Sequence, residues 1–231
     1  MRLWVGTSGY SYKEWKGTFY PQDLSDKLML GFYGQHFGTV EINNTFYRMP
    51  AQSVLARWSE EVPEKFAFVL KAPRRITHEK RLQDINEDLS FLFQTASALG
   101  SKLGPILFQL PPFSKKDLPR LKDFLGLVPS DRRVAIEFRH ASWFTDDVYE
   151  MLRAHRASLC LADTDDGETP LVPTTSWGYL RLRRPDYADS DLRSWAKKVG
   201  AQPWSEAFVF FKHEDEGKCP QLAKRFIKLS P

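Results

Sequence analysis

Residues 105–163 decide the fold, because strand-like and helix-like patterns alternate there without interruption. The stretch contains PILFQL at 105–110, LPRLKDFLGL at 118–127, VAIEFR at 134–139, DDVYEMLRAH at 146–155 and SLCLAD at 158–163. The short apolar runs are typical of buried strands, whereas the longer segments carry apolar residues at helical spacing. Strands that alternate with helices in this way form a parallel sheet.

The same alternation extends over the whole chain. Eight strand candidates occur, at residues 3–8, 39–43, 66–71, 105–110, 134–139, 158–163, 179–183 and 208–212. Helix-period segments lie between most of them, at residues 26–37, 52–61, 87–99, 118–127, 146–155, 190–199 and 221–228. Eight such units predict an α/β fold, a closed (β/α)8 TIM barrel in one domain over residues 1–231, rather than a doubly wound sheet.

One unit of this predicted barrel is incomplete. Residues 164–176 are few and rich in Asp, Thr and Pro. We therefore expect an irregular crossing, not a normal helix, between the sixth and seventh strands.

Composition indicates an ordinary globular protein. The chain has 33 Lys and Arg against 29 Asp and Glu, a formal net charge of +4, which permits an anionic partner without requiring one. Cys160 and Cys219 form neither a disulfide framework nor a zinc spacing, which favours a reducing compartment. No apolar stretch approaches the length of a membrane span or of a secretory leader, so we expect a soluble, cytoplasmic protein without membrane association. No feature specifies an oligomeric state.

Several motifs add a family resemblance. They are VGTSGY at 5–10 with Trp15 and FYP at 19–21, VEINNTFY at 40–47, KAP at 71–73 with ITH at 76–78, QLPP at 109–112 and EFRHASW at 137–143. In this order and over nearly the whole chain, they resemble the YecE-like family, also called domain of unknown function 72. The resemblance implies a TIM barrel of uncharacterised activity. The chain departs from the family pattern at Arg183-Arg184, where a His-Gly pair is usual, and at Lys212-His213, where asparagines are usual.

Polar residues late in the predicted strands are the first candidates for a site, because TIM-barrel sites lie at the carboxyl ends of the strands. Strand side chains alternate between two faces. The alternation predicts a barrel-facing set of Glu41, Asn43, Lys71, Gln109, Glu137, Arg139, Asp163, Arg181, Arg183 and Lys212. Three acids stand against five bases in this set.

Two interpretations of the charged set remain open. In the first, Glu137 pairs with Arg139 or Glu41 pairs with Arg181 in a buried ion-pair network. In the second, Arg139 and Arg181 are bidentate clamps for a bound anion and Lys71 is a point charge beside it. The excess of bases favours the anion site, since buried unmatched charges cost several kcal/mol each.

The rim of the predicted barrel is basic and aromatic. The loop after the third strand carries Arg74, Arg75 and His78, and it is either solvated or in contact with phosphate; His78 is the histidine most suited to titrate near neutrality. Tyr10, Tyr47 and Trp143 lie in other loops that follow strands. Such rings either pack or stack on a nucleobase or sugar.

The leading hypothesis is an enzyme that acts on a small anionic, phosphate-bearing substrate. Glu137 or Asp163 would be the general base, Lys71 and His78 would assist, and Arg139 and Arg181 would hold the anion. Glu41, Asn43, Gln109, Arg74, Arg75, Tyr10, Tyr47 and Trp143 would complete the substrate site. The alternative is a non-catalytic protein that binds nucleic acid through the rim.

No cofactor is expected, because nucleotide-binding glycine motifs are absent from the sequence. A catalytic metal is not expected either. Glu137, Asp163 and His213 could meet, but basic side chains would lie among them.

Overall fold

A computed structural model describes residues 1–212 and 217–230 of the chain. Its strands are β1 (Arg2–Thr7), β2 (Thr39–Ile42), β3 (Ala67–Lys71), β4 (Leu103–Gln109), β5 (Val134–Glu137), β6 (Ser158–Thr164), β7 (Gly167–Glu168), β8 (Trp177–Leu182) and β9 (Glu206–Phe211). All except β7 are parallel and pair in the order β1-β9-β8-β6-β5-β4-β3-β2. The eight predicted strands and the TIM-like barrel are therefore confirmed.

A helix follows every strand of the barrel except β6. The helices are α1 (Met29–Gly34), α2 (Gln52–Glu61), α3 (Asn86–Ala96), α4 (Leu118–Gly126), α5 (Asp146–Ala154), α6 (Asp189–Gly200) and α7 (Lys218–Leu229). Helix α1 is shorter than predicted, because its first turn is a separate 3-10 turn, Asp26–Leu28. None of the helices within 1–212 and 217–230 is long and apolar enough to cross a membrane.

The crossing after β6 is irregular, as the sequence predicted. Strand β7 folds back and pairs antiparallel with the end of β6, through Asp163 with Glu168 and Thr164 with Gly167. The chain then enters β8 without a helix.

Apolar side chains form two layers on opposite faces of the sheet. The larger layer lies between strands and helices; helix α4, for example, buries Leu121, Phe124 and Leu125, which share one face at helical spacing. A smaller cluster fills the barrel interior and includes Tyr179 and Phe208. Beyond this filling, towards the carboxyl ends of the strands, buried polar side chains such as Glu41, Glu137 and Arg181 occupy the interior.

The barrel closes between β1 and β2 through very few backbone contacts. Ser8 and Glu41 form one parallel bridge, and the Gly9 N–H donates to the Glu41 carbonyl at 2.7 Å. Farther back along the strands, the Tyr33 hydroxyl donates to the Thr39 carbonyl at 3.0 Å and accepts from the Thr7 N–H at 2.9 Å. A side chain of α1 thus replaces part of the strand ladder.

This seam predicts a strong effect of Gly6→Ala. A Cβ atom at Gly6 would lie 2.1 Å from the Thr39 carbonyl oxygen, so the two strands must move apart. Overpacking of this kind costs about 1–3 kcal/mol of unfolding free energy, measurable by urea titration. Gly126→Ala is the matched control, since a Cβ there has no neighbour within 4 Å and alanine favours the helix. Equal stabilities of the two variants would contradict the prediction.

Candidate functional site

Arg181 lies at the centre of the barrel mouth, between two carboxylates. Its Nη1 donates to Glu137 Oε2 at 2.6 Å and its Nη2 to Glu41 Oε1 at 2.8 Å. Arg181 is 1% exposed and both glutamates are fully buried. Three strands distant in the sequence, β2, β5 and β8, are therefore joined by one guanidinium.

Glu41 receives two further hydrogen bonds. Ser8 Oγ donates to Oε1 and the Tyr179 hydroxyl donates to Oε2, each at 2.6 Å. Burial by itself would raise the pKa of Glu41, but the charge of Arg181 and these hydrogen bonds lower it below its usual value. Glu41 is therefore ionised, and both of its carboxylate oxygens accept hydrogen bonds.

Glu137 is held in the same way. Gln109 Nε2 donates to Oε1 at 2.8 Å, and Arg139 Nε donates to the same oxygen at 2.6 Å. Burial would raise the pKa of Glu137, but the charges of Arg181 and Arg139 outweigh it and hold the pKa well below its usual range. So acidic a group does not accept a proton near neutral pH, which argues against the predicted role as general base.

Arg183 is a second guanidinium of the mouth, one residue beyond β8. Within the described ranges, its Nε and Nη1 are buried and have no hydrogen-bond partner. Its nearest carboxylate is distant for an ion pair, with Nη1 3.9 Å from Glu137 Oε1. Burial and the neighbouring charge of Arg181 lower the pKa of Arg183.

Lys71, the last residue of β3, is a further cation of the mouth. Its Nζ lies 4.1 Å from the centroid of the Phe46 ring. No carboxylate of residues 1–212 or 217–230 pairs with it. Burial and the charge of Arg181 lower the pKa of Lys71 to about 8, although Glu41 and Glu137 act in the opposite direction. Lys71 and Arg183 are thus cations whose charge the two carboxylates do not match.

His78 lies in the short π-helical turn Arg75–Glu79, which follows the strand that ends at Lys71. Its ring meets the Phe46 ring edge-on with centroids 4.9 Å apart, and its Nδ1 is 2.9 Å from Thr77 Oγ1. Burial and the charge of Lys71 lower the pKa of His78. The imidazole is therefore mainly neutral at pH 7.

Asp163 does not face the barrel, and that prediction is wrong. Its Oδ2 accepts hydrogen bonds from Trp195 Nε1 of α6 at 2.9 Å and from Arg184 Nε at 3.0 Å. On β6 it is Cys160 that faces inward, with Sγ 4.0 Å from Glu137 Oε2. Asp163 has the opposite parity and lies between sheet and helices, which excludes it as a general base of the mouth.

Trp143 is packed and not available to a substrate, so its predicted binding role is also wrong. It is 2% exposed, its ring stacks on Phe138 with centroids 4.5 Å apart, and its Nε1 donates to the Ser114 carbonyl at 2.7 Å. Tyr47, in contrast, is 79% exposed, and its ring meets the Phe46 ring edge-on.

The two rim arginines already have acidic partners. Arg74 Nε lies 3.6 Å from Glu79 Oε1, and Arg75 Nε lies 2.7 Å from Asp88 Oδ1 of α3. Arg75 is therefore directed to the helix layer and not to the mouth.

Asn43 and Tyr10 lie beside the mouth, where the β1 and β2 loops meet. Both line a cavity of about 160 Å³ together with Tyr12 and Trp58. Tyr10 packs against Trp58 with ring centroids 6.5 Å apart. The Nδ2 of Asn43 is buried and, among the residues described, has no hydrogen-bond partner.

Metal ligands do not cluster in this part of the barrel. Over residues 1–212 and 217–230, no group of three His, Cys, Asp or Glu side chains is placed to hold a metal ion. His213, named with Glu137 and Asp163 as a possible ligand set, lies outside the described residues.

Sequence reasoning missed two side chains of this site, Ser8 and Tyr179. Tyr179 has the same strand parity as Arg181, so the alternation that located Arg181 could have located it. Ser8 follows strand β1, and no local signal sets its side chain apart from those of the surrounding turn.

Comparison with known proteins matches the chain to a described family. Residues 4–231 match the family described as "Protein of unknown function DUF72". The UPF0759 protein YecE of Escherichia coli K12 is 33% identical over 113 residues, which cover 48% of this chain and 42% of that protein. The UPF0759 protein YunF of Bacillus subtilis is 25% identical and the match covers 93% of this chain and 79% of that protein.

Solved structures show the same fold. A DUF72 family protein from Thermotoga maritima superimposes with a TM-score of 0.88 at 27% identity and covers 99% of both chains. A DUF72 family protein from Enterococcus faecalis gives a TM-score of 0.74 at 18% identity and covers 99% of this chain and 97% of that one.

Proposed function

The chain belongs to the DUF72 family, and because that family name carries no reaction, we propose a function from the site alone: an enzyme that binds a small phosphate- or carboxylate-bearing substrate at the carboxyl end of the barrel. Arg183 and Arg139 hold the anion, and Lys71 and His78 transfer protons. Glu41, Glu137 and Arg181 form the buried bottom layer of the site.

The unpartnered donors of Arg183 carry this proposal. A buried donor without a partner costs about 1–3 kcal/mol, and more when it is charged. Glu137 already accepts from Gln109, Arg139 and Arg181, so it offers little capacity to a further donor. A bound oxyanion would satisfy the guanidinium in the bidentate geometry that arginine favours.

Arg139 is the partner of Arg183 in this proposal. Its side chain is 27% exposed, compared with 21% for Arg183 and 1% for Arg181, so the first two can reach a ligand while Arg181 is enclosed. The clamp that the sequence assigned to Arg181 therefore passes to Arg183. Arg181 instead keeps the two carboxylates ionised beneath the anion.

Lys71 and His78 provide the acid–base groups. A lysine with a pKa of about 8 exchanges protons near physiological pH, and a neutral imidazole can accept a proton. Both contact the Phe46 ring, which places them on the same side of the mouth.

The nucleic-acid alternative receives less support from the rim. Trp143 is enclosed and cannot stack on a nucleobase, and Arg75 Nε is already paired with Asp88. Binding through the rim remains a defined outcome of the experiment that follows.

We expect inorganic phosphate to stabilise the wild-type protein and not the Arg183→Ala variant. A ligand at a hundred times its Kd adds about 2.7 kcal/mol, which raises Tm by roughly 5–10 °C for a chain of this size. Thermal unfolding with and without phosphate measures the effect. Arg183→Ala should fold normally, since it removes a charge that Arg181 repels.

Arg74→Ala is the matched control for this titration, because Arg74 is an exposed arginine of the rim. It should respond to phosphate as the wild type does. An unchanged response in Arg183→Ala would refute the proposed site. Loss of binding to a single-stranded oligonucleotide in Arg74→Ala alone would favour the rim alternative.

A further inference from the structure

The backbone of Lys71 is held by a hydrogen bond, and its side-chain amine has no carboxylate partner among the described residues. Its carbonyl accepts a hydrogen bond from Thr45 Oγ1 at 2.7 Å, and its Nζ lies 4.1 Å above the Phe46 ring. In the described part of the chain, no carboxylate pairs with Nζ. The amine therefore stands at the end of strand β3, with the Phe46 ring beneath it. The charge of Arg181 disfavours its protonation, whereas the charges of Glu41 and Glu137 act in the opposite direction.

Such surroundings favour the neutral amine, which is the nucleophilic form. Desolvation and neighbouring cations activate lysine in this way. With a pKa of about 8, roughly a quarter of the Lys71 amines are neutral at pH 7.5. The arginines of the mouth are always protonated and cannot fill this role.

We propose that Lys71 forms a Schiff base with a small aldehyde or ketone that carries a phosphate or a carboxylate group. The inference rests on the proposed function, because Arg139 and Arg183 hold the anionic group while Nζ attacks the carbonyl carbon. It names a substrate class for the site: carbonyl compounds with an anionic end.

The step balances without any further reagent. The lone pair of Nζ forms a bond to the carbonyl carbon, and a proton passes from nitrogen to the former carbonyl oxygen to give a carbinolamine. The hydroxyl group then takes up one proton from solvent, the C–O bond breaks, the oxygen leaves as water, and a protonated imine remains. His78, neutral and in contact with the same Phe46 ring, is the group placed to relay the proton.

The imine can be trapped by reduction with sodium cyanoborohydride. Wild-type protein is incubated with dihydroxyacetone phosphate, with pyruvate, or with uncharged dihydroxyacetone, and adducts are located by intact mass and peptide mapping. We expect one dominant adduct, at Lys71, formed at least tenfold faster with an anionic carbonyl than with dihydroxyacetone. The faster of the two anionic probes identifies the phosphate or the carboxylate as the preferred group.

The pH dependence and two variants complete the test. The trapping rate should rise between pH 6.5 and 8.5 as the amine loses its proton. Lys71→Met should abolish the dominant adduct. Lys116→Met is the control, because Lys116 is 30% exposed and its amine pairs with the Asp147 carboxylate at 3.0 Å; it should label as the wild type does.

Two contrary outcomes have different meanings. If phosphate binds in an Arg183-dependent manner but no probe labels Lys71 above the surface lysines, the Schiff base is refuted and the anion site stands. If Lys71 is labelled equally by charged and uncharged probes and phosphate does not bind, the anion site is refuted and the claim of an anionic substrate class falls with it.

Discussion

Replacing Arg181 with alanine should lower the free energy of unfolding by about 3–5 kcal/mol, the usual cost of removing one partner from a buried ion pair. The substitution leaves Glu41 and Glu137 buried without the guanidinium that joins them. For a chain of this length, Tm should fall by roughly 6–20 °C. Urea titration at neutral pH measures the loss.

Arg183→Ala is the matched control on the same strand end. Arg183 is 21% exposed and its nearest carboxylate oxygen is 3.9 Å away, so its removal should change stability by less than about 1 kcal/mol. If Arg181→Ala were as stable as Arg183→Ala, the buried network would not be structural and the division of roles proposed here would fail.

Acid should destabilise the protein steeply below about pH 4.5, the ordinary pKa of a glutamate. Folding lowers the pKa of both Glu41 and Glu137, so the stability they contribute is complete above that value. As the pH falls from there towards the folded-state pKa, the unfolded chain binds more protons. Each carboxyl then removes about 1.4 kcal/mol per pH unit.

Urea titrations at pH 5, 4 and 3 test this linkage. Glu137→Gln should be less stable at pH 5 but lose stability less steeply with acid than the wild type, because one titrating carboxyl is gone. Glu150→Gln, on the exposed face of α5, should retain the wild-type slope. Identical slopes in wild type and Glu137→Gln would show that Glu137 does not carry the effect.

Both predictions concern the buried residues Glu41, Glu137 and Arg181 at the bottom of the site. Their pairing determines which charges remain unmatched nearer the opening of the barrel. The two negative charges of Glu41 and Glu137 are already balanced by Arg181 and Arg139, so the charges of Lys71 and Arg183 are in excess. The ion-pair interpretation of the sequence is therefore correct for the buried residues. Anion binding is proposed only for the cations nearer the opening of the barrel. The two interpretations therefore apply to two adjacent layers of side chains in the same barrel.

The sequence by itself was sufficient for the eight strands and for most of the side chains that converge at the mouth. Strand signals are local: an apolar run such as 134–139 indicates a strand wherever it occurs, and the alternation of side chains places Glu137 and Arg139 on one face. The same rule failed at Asp163, because the alternation in β6 was assigned to the wrong face of the sheet. The bulky Leu159 and Leu161, which share its parity, marked that face as the one covered by helices.

Only the tertiary structure decided which charges pair and which remain available. Arg181 and Arg183 have the same residue type and the same strand parity, so no local pattern separates them. Arg181 is enclosed because β2 and β5 bring Glu41 and Glu137 to its level, through contacts 140 and 44 residues apart in the chain. Arg183 lies one pleat farther along, beyond the reach of both carboxylates for a close pair. Charge pairing falls steeply with distance and depends on burial, and both are set by the packing of strands that are remote in sequence.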